Sequence, residues 1–250
     1  MLIINEIHAW RNIQKKLQHK NVGFVPTMGN LHAGHMSLCQ RSQSENEVTM
    51  LSIFVNPMQF NQAQDFENYP RTLQQDIDLL KTHHVDYVFI PEAKEIYPDH
   101  YEIEVTEKKL SAELEGEYRP GHFNGMLTVV LKLLNIIHPT RAYFGEKDYQ
   151  QLLLIKKMVA TLFLPLDIVA CPTVRAADGL ALSSRNNRLH AAQRQHATHF
   201  PRLLQNPRLT LQEITQQLQT LGFKVDYIAE KWERRLGAVW LDNVRLIDNF

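Results

Sequence analysis

The sequence predicts an α/β protein: a Rossmann-like, doubly wound, mostly parallel sheet with a smaller α+β C-terminal domain. Three observations carry this prediction. Short apolar, β-rich runs at 22–27 (VGFVPT), 48–55 (VTMLSIFV), 85–90 (VDYVFI) and 166–174 (LDIVACPTV) alternate with helix-periodic stretches of about 10–15 residues, the pattern of βαβ units. The residues suited to chemistry cluster directly after such runs, at 26–35, 56–60, 145–151 and 174–185, where a parallel sheet offers its carboxyl ends to ligands. From about residue 175 the character changes: RAADGLALSSRNNRL is polar and turn-rich, and helices and antiparallel strands follow. The chain thus divides into a larger domain at 1–175 and a small domain at 176–250.

Taken in order, residues 3–18 read as a helix with Ile7, Trp10, Ile13 and Leu17 on one face. After the first strand, GHMSLCQRSQSE is helical, and the strand at 48–55 is stopped by Asn56-Pro57. PRTLQQDIDLLKTHH carries Pro near a helix start and apolar Leu73, Ile77 and Leu80. YEIEVT (101–106) alternates as a half-exposed strand would. GEYRPGHFNG is rich in turn formers, MLTVVLKLLNIIH is a strongly apolar helix, AYFGEKD runs from strand into loop, and YQQLLLIKKMVATLF is helical. In the C-terminal part, 190–205 and 209–221 read as helices, and FKVDYIAEKW and AVWLDNVRLIDNF as antiparallel strands.

Composition removes several function classes. The formal net charge is zero over 250 residues, which argues against broad electrostatic binding of nucleic acid or an anionic membrane. The two cysteines, Cys39 and Cys171, form no CxxC pair, so a zinc ribbon or disulfide scaffold is not expected and a reducing compartment fits. The N-terminus carries Glu6 and Arg11 where a signal peptide would be apolar, and no stretch reaches the roughly 18 apolar residues of a membrane span. The expectation is a soluble cytoplasmic protein.

Neither a GxxxxGK[ST] loop nor a well-placed GxGxxG is present. A helix starting near Gly34 would instead offer backbone N–H groups to phosphate, and His32 and His35, three apart on one face, would donate to its oxygens. Alternatively the two histidines are surface residues, or a metal pair, although a third ligand of the right type does not stand nearby. In FVNPMQF, Asn56 and Gln59 present amides beside apolar Met58 and Phe60, which suits a small acid with hydroxyls; the bland reading is a loop with amide caps. In FGEKDYQQ, Gly145 permits a turn, Lys147 is a point charge for phosphate and Asp148 an acceptor for a ribose hydroxyl, unless this is simply an acidic helix start. In DGLALSSRN, Ser183, Ser184 and Arg185 can fold over a triphosphate, or form a solvated linker.

Together and in this order, PTMGNLHAGH, FVNPMQF, YRPGHF, FGEKDYQQ and GLALSSRN make the chain resemble the pantothenate synthetase (pantoate–β-alanine ligase) family, of the HxGH nucleotidyltransferase superfamily. The resemblance runs from residue 1 to about 190, and the ending VRLIDN is similar too. It implies an AMP-forming ligase of pantothenate biosynthesis, a step toward coenzyme A. The carboxylate of (R)-pantoate attacks the α-phosphorus of Mg-ATP, and the amine of β-alanine then attacks the pantoyl adenylate. Such chemistry needs positioning and charge stabilisation rather than a protein nucleophile, in keeping with a sequence lacking any Ser-His-Asp or Cys-His pattern.

By the same resemblance, Met28, Gly29, Asn30, Leu31, His32, Ala33, Gly34 and His35 line the ATP site, with His35 as proton donor and His32 on phosphate. Gly145, Glu146, Lys147, Asp148, Val174 and Leu182 also contact ATP, and Ser183, Ser184 and Arg185 form a mobile phosphate loop; His32, His35, Lys147 and these last three make up the catalytic set. Gln59, Gln151 and Asn56 bind pantoate, Gln59 also lies beside β-alanine, and Arg119 and His122 of RPGHF support the pocket. Mg²⁺ sits mainly on ATP oxygens, with no protein metal ligands assigned. Asp76 is considered as an additional contact and left outside the set. The resemblance also implies a homodimer, with 126–137 or 101–106 contributing. Two departures stand out: Ala177 replaces a residue often basic in the family, and the C-terminal part is expected to be short. Two other readings are a nucleotidyltransferase that leaves the nucleotide on its product, and a catalytically silent nucleotide-binding protein. FVNPMQF with the paired glutamines weighs against the first, and the presence of His32, His35, Lys147 and Arg185 against the second. A tRNA synthetase is disfavoured by a short, neutral chain.

Overall fold

The computed structural model describes residues 1–61 and 63–250. Its contacts divide the chain into two compact units, one of residues 1–145 and 150–171, the other of residues 146–149 and 172–250. In chain order the elements up to the second stretch are β1 (Leu2–Ile4), α1 (Ile7–Gln14), β2 (Val22–Thr27), α2 (Ala33–Glu45), β3 (Val48–Ile53), α3 (Ala63–Glu67), α4 (Leu73–Thr82), β4 (Tyr87–Phe89), α5 (Ala93–Ile96), α6 (Glu115–Tyr118), α7 (His122–Ile137), β5 (Arg141–Gly145), α8 (Tyr149–Thr161) and β6 (Asp167–Cys171). Then come α9 (Ala191–Ala197), α10 (His199–Leu204), α11 (Leu211–Thr220), β7 (Lys224–Lys231), β8 (Arg234–Leu241) and β9 (Val244–Asn249).

In the first unit six strands run parallel in the order β1-β4-β3-β2-β5-β6. The chain winds from β2 outward through β3 and β4, then returns to lay β5 on the other side of β2. The reversal makes β2 and β5 the switch point, the place where an open parallel sheet leaves a crevice at its carboxyl ends. Being buried on both faces, β2 and β3 are nearly continuous apolar runs, which is why they are legible as strands. Val25, Leu51, Val88 and Tyr143 from four neighbouring strands, with Met36 and Cys39 of α2 and Leu80 of α4, form one core.

Two expected elements differ. Residues 3–18 are not one helix: Leu2–Ile4 pairs with Tyr87–Phe89 as an edge strand, and α1 begins only at Ile7. A three-residue strand owes its existence to a partner some 85 positions away, and local periodicity carries no trace of it. Residues 101–106 form no strand; Ile103 is 66% exposed, and the Val105 N–H is taken by the Thr128 hydroxyl rather than by a sheet. Alternation alone does not supply a pairing edge.

The second unit is an antiparallel sheet, β7-β8-β9, backed by short helices around Phe200, Leu204, Ile214, Leu218, Val239 and Val244. The expected helix at 190–205 is broken at Thr198 into α9 and α10. α11 starts with a reciprocal cap in which Thr210 and Glu213 exchange side-chain and backbone bonds.

Candidate active site

At the carboxyl end of β2 the backbone turns through two consecutive left-handed residues, Gly29 (φ 79°) and Asn30 (φ 50°). Gly29 is required twice over: by its φ, and because a Cβ would stand 3.0 Å from Asp76 Oδ2 and 3.1 Å from Ile53 Cγ2. The turn is held from below. The Gly29 N–H donates to Thr27 Oγ1 (3.2 Å), and Asp76 of α4, 3% exposed, accepts from the N–H groups of Asn30 (2.9 Å) and Leu31 (2.8 Å) and from the Thr72 hydroxyl (3.2 Å). Asp76, set aside at the sequence level, therefore shapes this loop; its contacts lie 45 and 46 positions away.

The helix that follows is capped by its own histidines. His32 Nδ1 accepts from the Gly34 N–H (3.1 Å), and His35 Nδ1 accepts from the His32 N–H (3.3 Å). This is the reciprocal logic of a capping box, with imidazoles in place of hydroxyl and carboxylate. It fixes the chemistry of both rings: with Nδ1 accepting, a neutral ring carries its proton on Nε2. The rings lie 4.1 Å apart, centroid to centroid. One expectation is corrected here. The helix starts at Ala33, and the Gly34 and His35 N–H groups are already used within the turn, His35 donating to the His32 carbonyl (2.9 Å). The N–H groups of Gly29, Asn30 and Leu31 are engaged as well.

At the end of β3, Asn56 is fully buried and its amide is spent: Nδ2 donates to Gln59 Oε1 (3.2 Å) and the Gly125 carbonyl (3.0 Å), while Oδ1 accepts from Tyr97 (2.7 Å). Asn56, expected to bind pantoate, is thus bonded to Gln59, Gly125 and Tyr97, and it orients Gln59. The Gln59 Nε2 donates to Met28 Sδ (3.0 Å), bringing two sequence-assigned residues together. α7 packs against this turn so closely that a Cβ on Gly125 would lie 2.3 Å from the Met58 carbonyl oxygen. RPGHF serves the same turn: His122 Nδ1 bonds the Gln59 carbonyl (2.8 Å), Arg119 donates to His122 Nε2 (2.9 Å), and Glu115 stands 3.8 Å from Arg119. Of the paired glutamines in α8, Gln150 is buried and bonded to Leu110, Glu113 and Glu115, whereas Gln151 is half-buried.

In the second unit, Lys147, Ser183 and Arg185 line one hollow together with Asn186 and Asp248. Lys147 Nζ is 3.8 Å from Asp148. Val174 and Leu182 are joined by a backbone bond (2.9 Å), so the segment between them is a closed loop. Ser183 caps the following turn by accepting from the Arg185 N–H (3.3 Å), which directs its own hydroxyl proton elsewhere. Among the described residues, no group of three His, Cys, Asp or Glu is placed to hold a metal ion.

A family model described as pantoate-beta-alanine ligase matches residues 2–250. The chain belongs to the pantoate–β-alanine ligase family. Curated members agree over nearly their whole length: the pantothenate synthetase of Legionella pneumophila is 48% identical over 100% of this chain and 99% of its own, and that of Coxiella burnetii 49% identical over 99% and 95%. The part expected to be short is thus the length these relatives have. Among solved structures, a pantoate-beta-alanine ligase from Francisella tularensis, complexed with beta-gamma ATP and beta-alanine, matches with TM-score 0.96 and 45% identity over 100% of this chain and 97% of that one. A pantothenate synthetase from Thermus thermophilus matches with TM-score 0.93 and 40% identity over 100% and 99%. For a pantoate–β-alanine ligase, the six-stranded sheet thus sets an imidazole pair and a braced glutamine at the ends of adjacent strands, β2 and β3.

Proposed function

We propose that this chain condenses (R)-pantoate with β-alanine at the expense of ATP, giving pantothenate, AMP and pyrophosphate. The observation that carries the reading is the His32–His35 pair, locked with its ring protons on Nε2 at the switch point of the sheet, in a member of this family. In the first step a pantoate carboxylate oxygen bonds to the α-phosphorus of ATP as the bond to the β-phosphate oxygen breaks. His32 and His35 Nε2–H groups, with Lys147, Ser183, Ser184 and Arg185, donate to the charge that builds on the phosphates and departs with pyrophosphate. In the second step the β-alanine amine attacks the acyl carbon, a C–N bond forms, AMP leaves and the amine loses its proton.

Gln59 is built to receive an acid. Its Nε2 is held by a thioether sulfur, a weak acceptor that a carboxylate or hydroxyl oxygen displaces at little cost. Gln151 is assigned beside it to pantoate. Met28–His35, Gly145–Asp148, Val174 and Leu182 are assigned to ATP. Mg²⁺ belongs to this reading as Mg-ATP. Such an ion is carried on substrate phosphates and water, where it offsets their charge. Cys39 and Cys171 are both buried and lie in no CxxC pair, which suits a cytoplasmic enzyme. No helix among the described residues is long and apolar enough to cross a membrane. A homodimer is part of the same reading; light scattering at two concentrations tests it, a concentration-independent monomer mass counting against it.

The decisive assay is pyrophosphate–ATP isotope exchange with Mg²⁺ and pantoate, without β-alanine. Pantoate-dependent exchange is expected, and β-alanine should then release AMP and pantothenate. Retention of the nucleotide on an isolated product would point to a nucleotidyltransferase instead.

A further inference from the structure

We propose that the dipeptide Asp248–Asn249, at the end of β9, is a positioning element that sets the phosphate-facing turn of Lys147 and the base of the Ser183–Arg185 segment in fixed relation to each other. The proposal rests on the reading above and deepens it.

The two side chains grip different stretches of the second unit. Asn249 Nδ2 bridges two successive carbonyls, those of Glu146 (2.9 Å) and Lys147 (3.0 Å), so the backbone carrying the lysine is tied down at the residue itself and at the one before. Its own Oδ1 accepts from Arg234 (2.8 Å), which also holds the Glu146 carboxylate (2.9 Å) and lies over the Tyr149 ring. Asp248, next in the chain, takes Arg175 in a bidentate pair (2.7 and 2.8 Å). Arg175 in turn donates to the Gly179 carbonyl (3.1 Å) and pairs by a β-bridge with Ala181, closing the loop from which Ser183 emerges. Both members of the dipeptide are 4% exposed. A bidentate pair and a bridged carbonyl pair each fix an orientation as well as a distance, and adjacency on one strand transmits one orientation to the other. Two polar turns thereby face one hollow in an orientation set before the phosphates arrive.

The test is Asn249→Asp, which preserves shape but sets a carboxylate against two carbonyls, with Asn249→Ala as second variant. Pantoate-dependent pyrophosphate–ATP exchange is compared with aminolysis of supplied pantoyl adenylate by β-alanine, a half-reaction that needs no triphosphate grip. Expected is a fall in exchange of about tenfold or more, mainly through a higher KM for ATP, with aminolysis within about twofold of wild type, as for a lost buried hydrogen-bond pair. Wild-type exchange in both variants overturns the proposal, and so does an equal fall of both half-reactions, which marks a merely structural role. If the wild-type protein binds ATP yet shows no exchange with pantoate, the substrate reading fails separately. The positioning claim is then decided by calorimetry, where the variants must weaken ATP binding by the same factor or the claim is lost.

Discussion

Replacing Asp76 by Asn tests how the β2–α2 turn is maintained. In the native protein the carboxylate accepts two backbone N–H bonds, of 2.9 and 2.8 Å, at a site 3% exposed. A hydrogen bond to a charged group contributes about 1.5–3 kcal/mol, and a buried donor left without a partner costs about 1–3 kcal/mol. In Asp76→Asn the amide keeps one acceptor and turns an N–H₂ toward the other backbone donor, so one charge-assisted bond becomes a donor–donor contact. The expected loss is about 3 kcal/mol, against a total stability of about 5–15 kcal/mol, so the variant remains folded without denaturant. Two consecutive left-handed residues then lose the anchor that holds them, and His32 and His35 shift with the turn. Equilibrium urea unfolding measures the first effect. Pantoate-dependent pyrophosphate exchange, run without denaturant, measures the second, with a fall of about 100-fold expected for misplaced catalytic groups. A stability within about 0.5 kcal/mol of wild type would refute the energetic reasoning, for that is the range of substitutions away from such features. Undiminished exchange in a destabilised variant would refute the link to the site.

Three further outcomes follow from the geometry. Asn can cap a helix as His32 does, so His32→Asn should keep the melting temperature while abolishing most exchange, whereas His32→Ala should also lose about 1 kcal/mol of stability; equal stabilities would argue against the imidazole cap. Gly125→Ala drives a Cβ to 2.3 Å from the Met58 carbonyl oxygen, so the Gln59 turn must move, and a raised KM for pantoate with little change in KM for ATP is expected in steady-state assays. Burial pushes the Cys39 thiol up to about 12, so the native protein should resist a thiol reagent at pH 8 and react after unfolding in urea. Since the folded value lies above the unfolded one, this group's contribution to stability is complete below about pH 9 and is lost as pH rises toward 12, which alkaline melting curves can follow.

What was legible in the sequence was whatever local chemistry determines. β2 and β3 announce themselves as apolar runs closed by turn formers, and His32, Gly34 and His35 stand where a strand hands over to a helix. What escaped depends on distant partners. Nothing local announces that the Asn56 amide is bonded to Tyr97 and Gly125, 41 and 69 positions away. Asp76 shows its role only once the turn it supports is folded over it. Asp226 has no sequence signature either, yet it gathers Trp240 and Arg245 on the small sheet. Polar side chains that serve backbone groups elsewhere in the chain have no periodicity to betray them, so such positioning residues emerge only from tertiary structure.

The second unit takes four residues from the middle of the chain and the remainder from its far end. The carbonyl of Lys147 and the amide that holds it are 102 positions apart. On the ribosome, therefore, the six strands of the large sheet are all synthesised before β9 exists, and a chain that ends after β6 but short of Asn249 contains both histidines and Lys147 yet lacks the amide that ties the lysine's backbone. A prematurely terminated product therefore leaves the backbone of Glu146 and Lys147 without its tether.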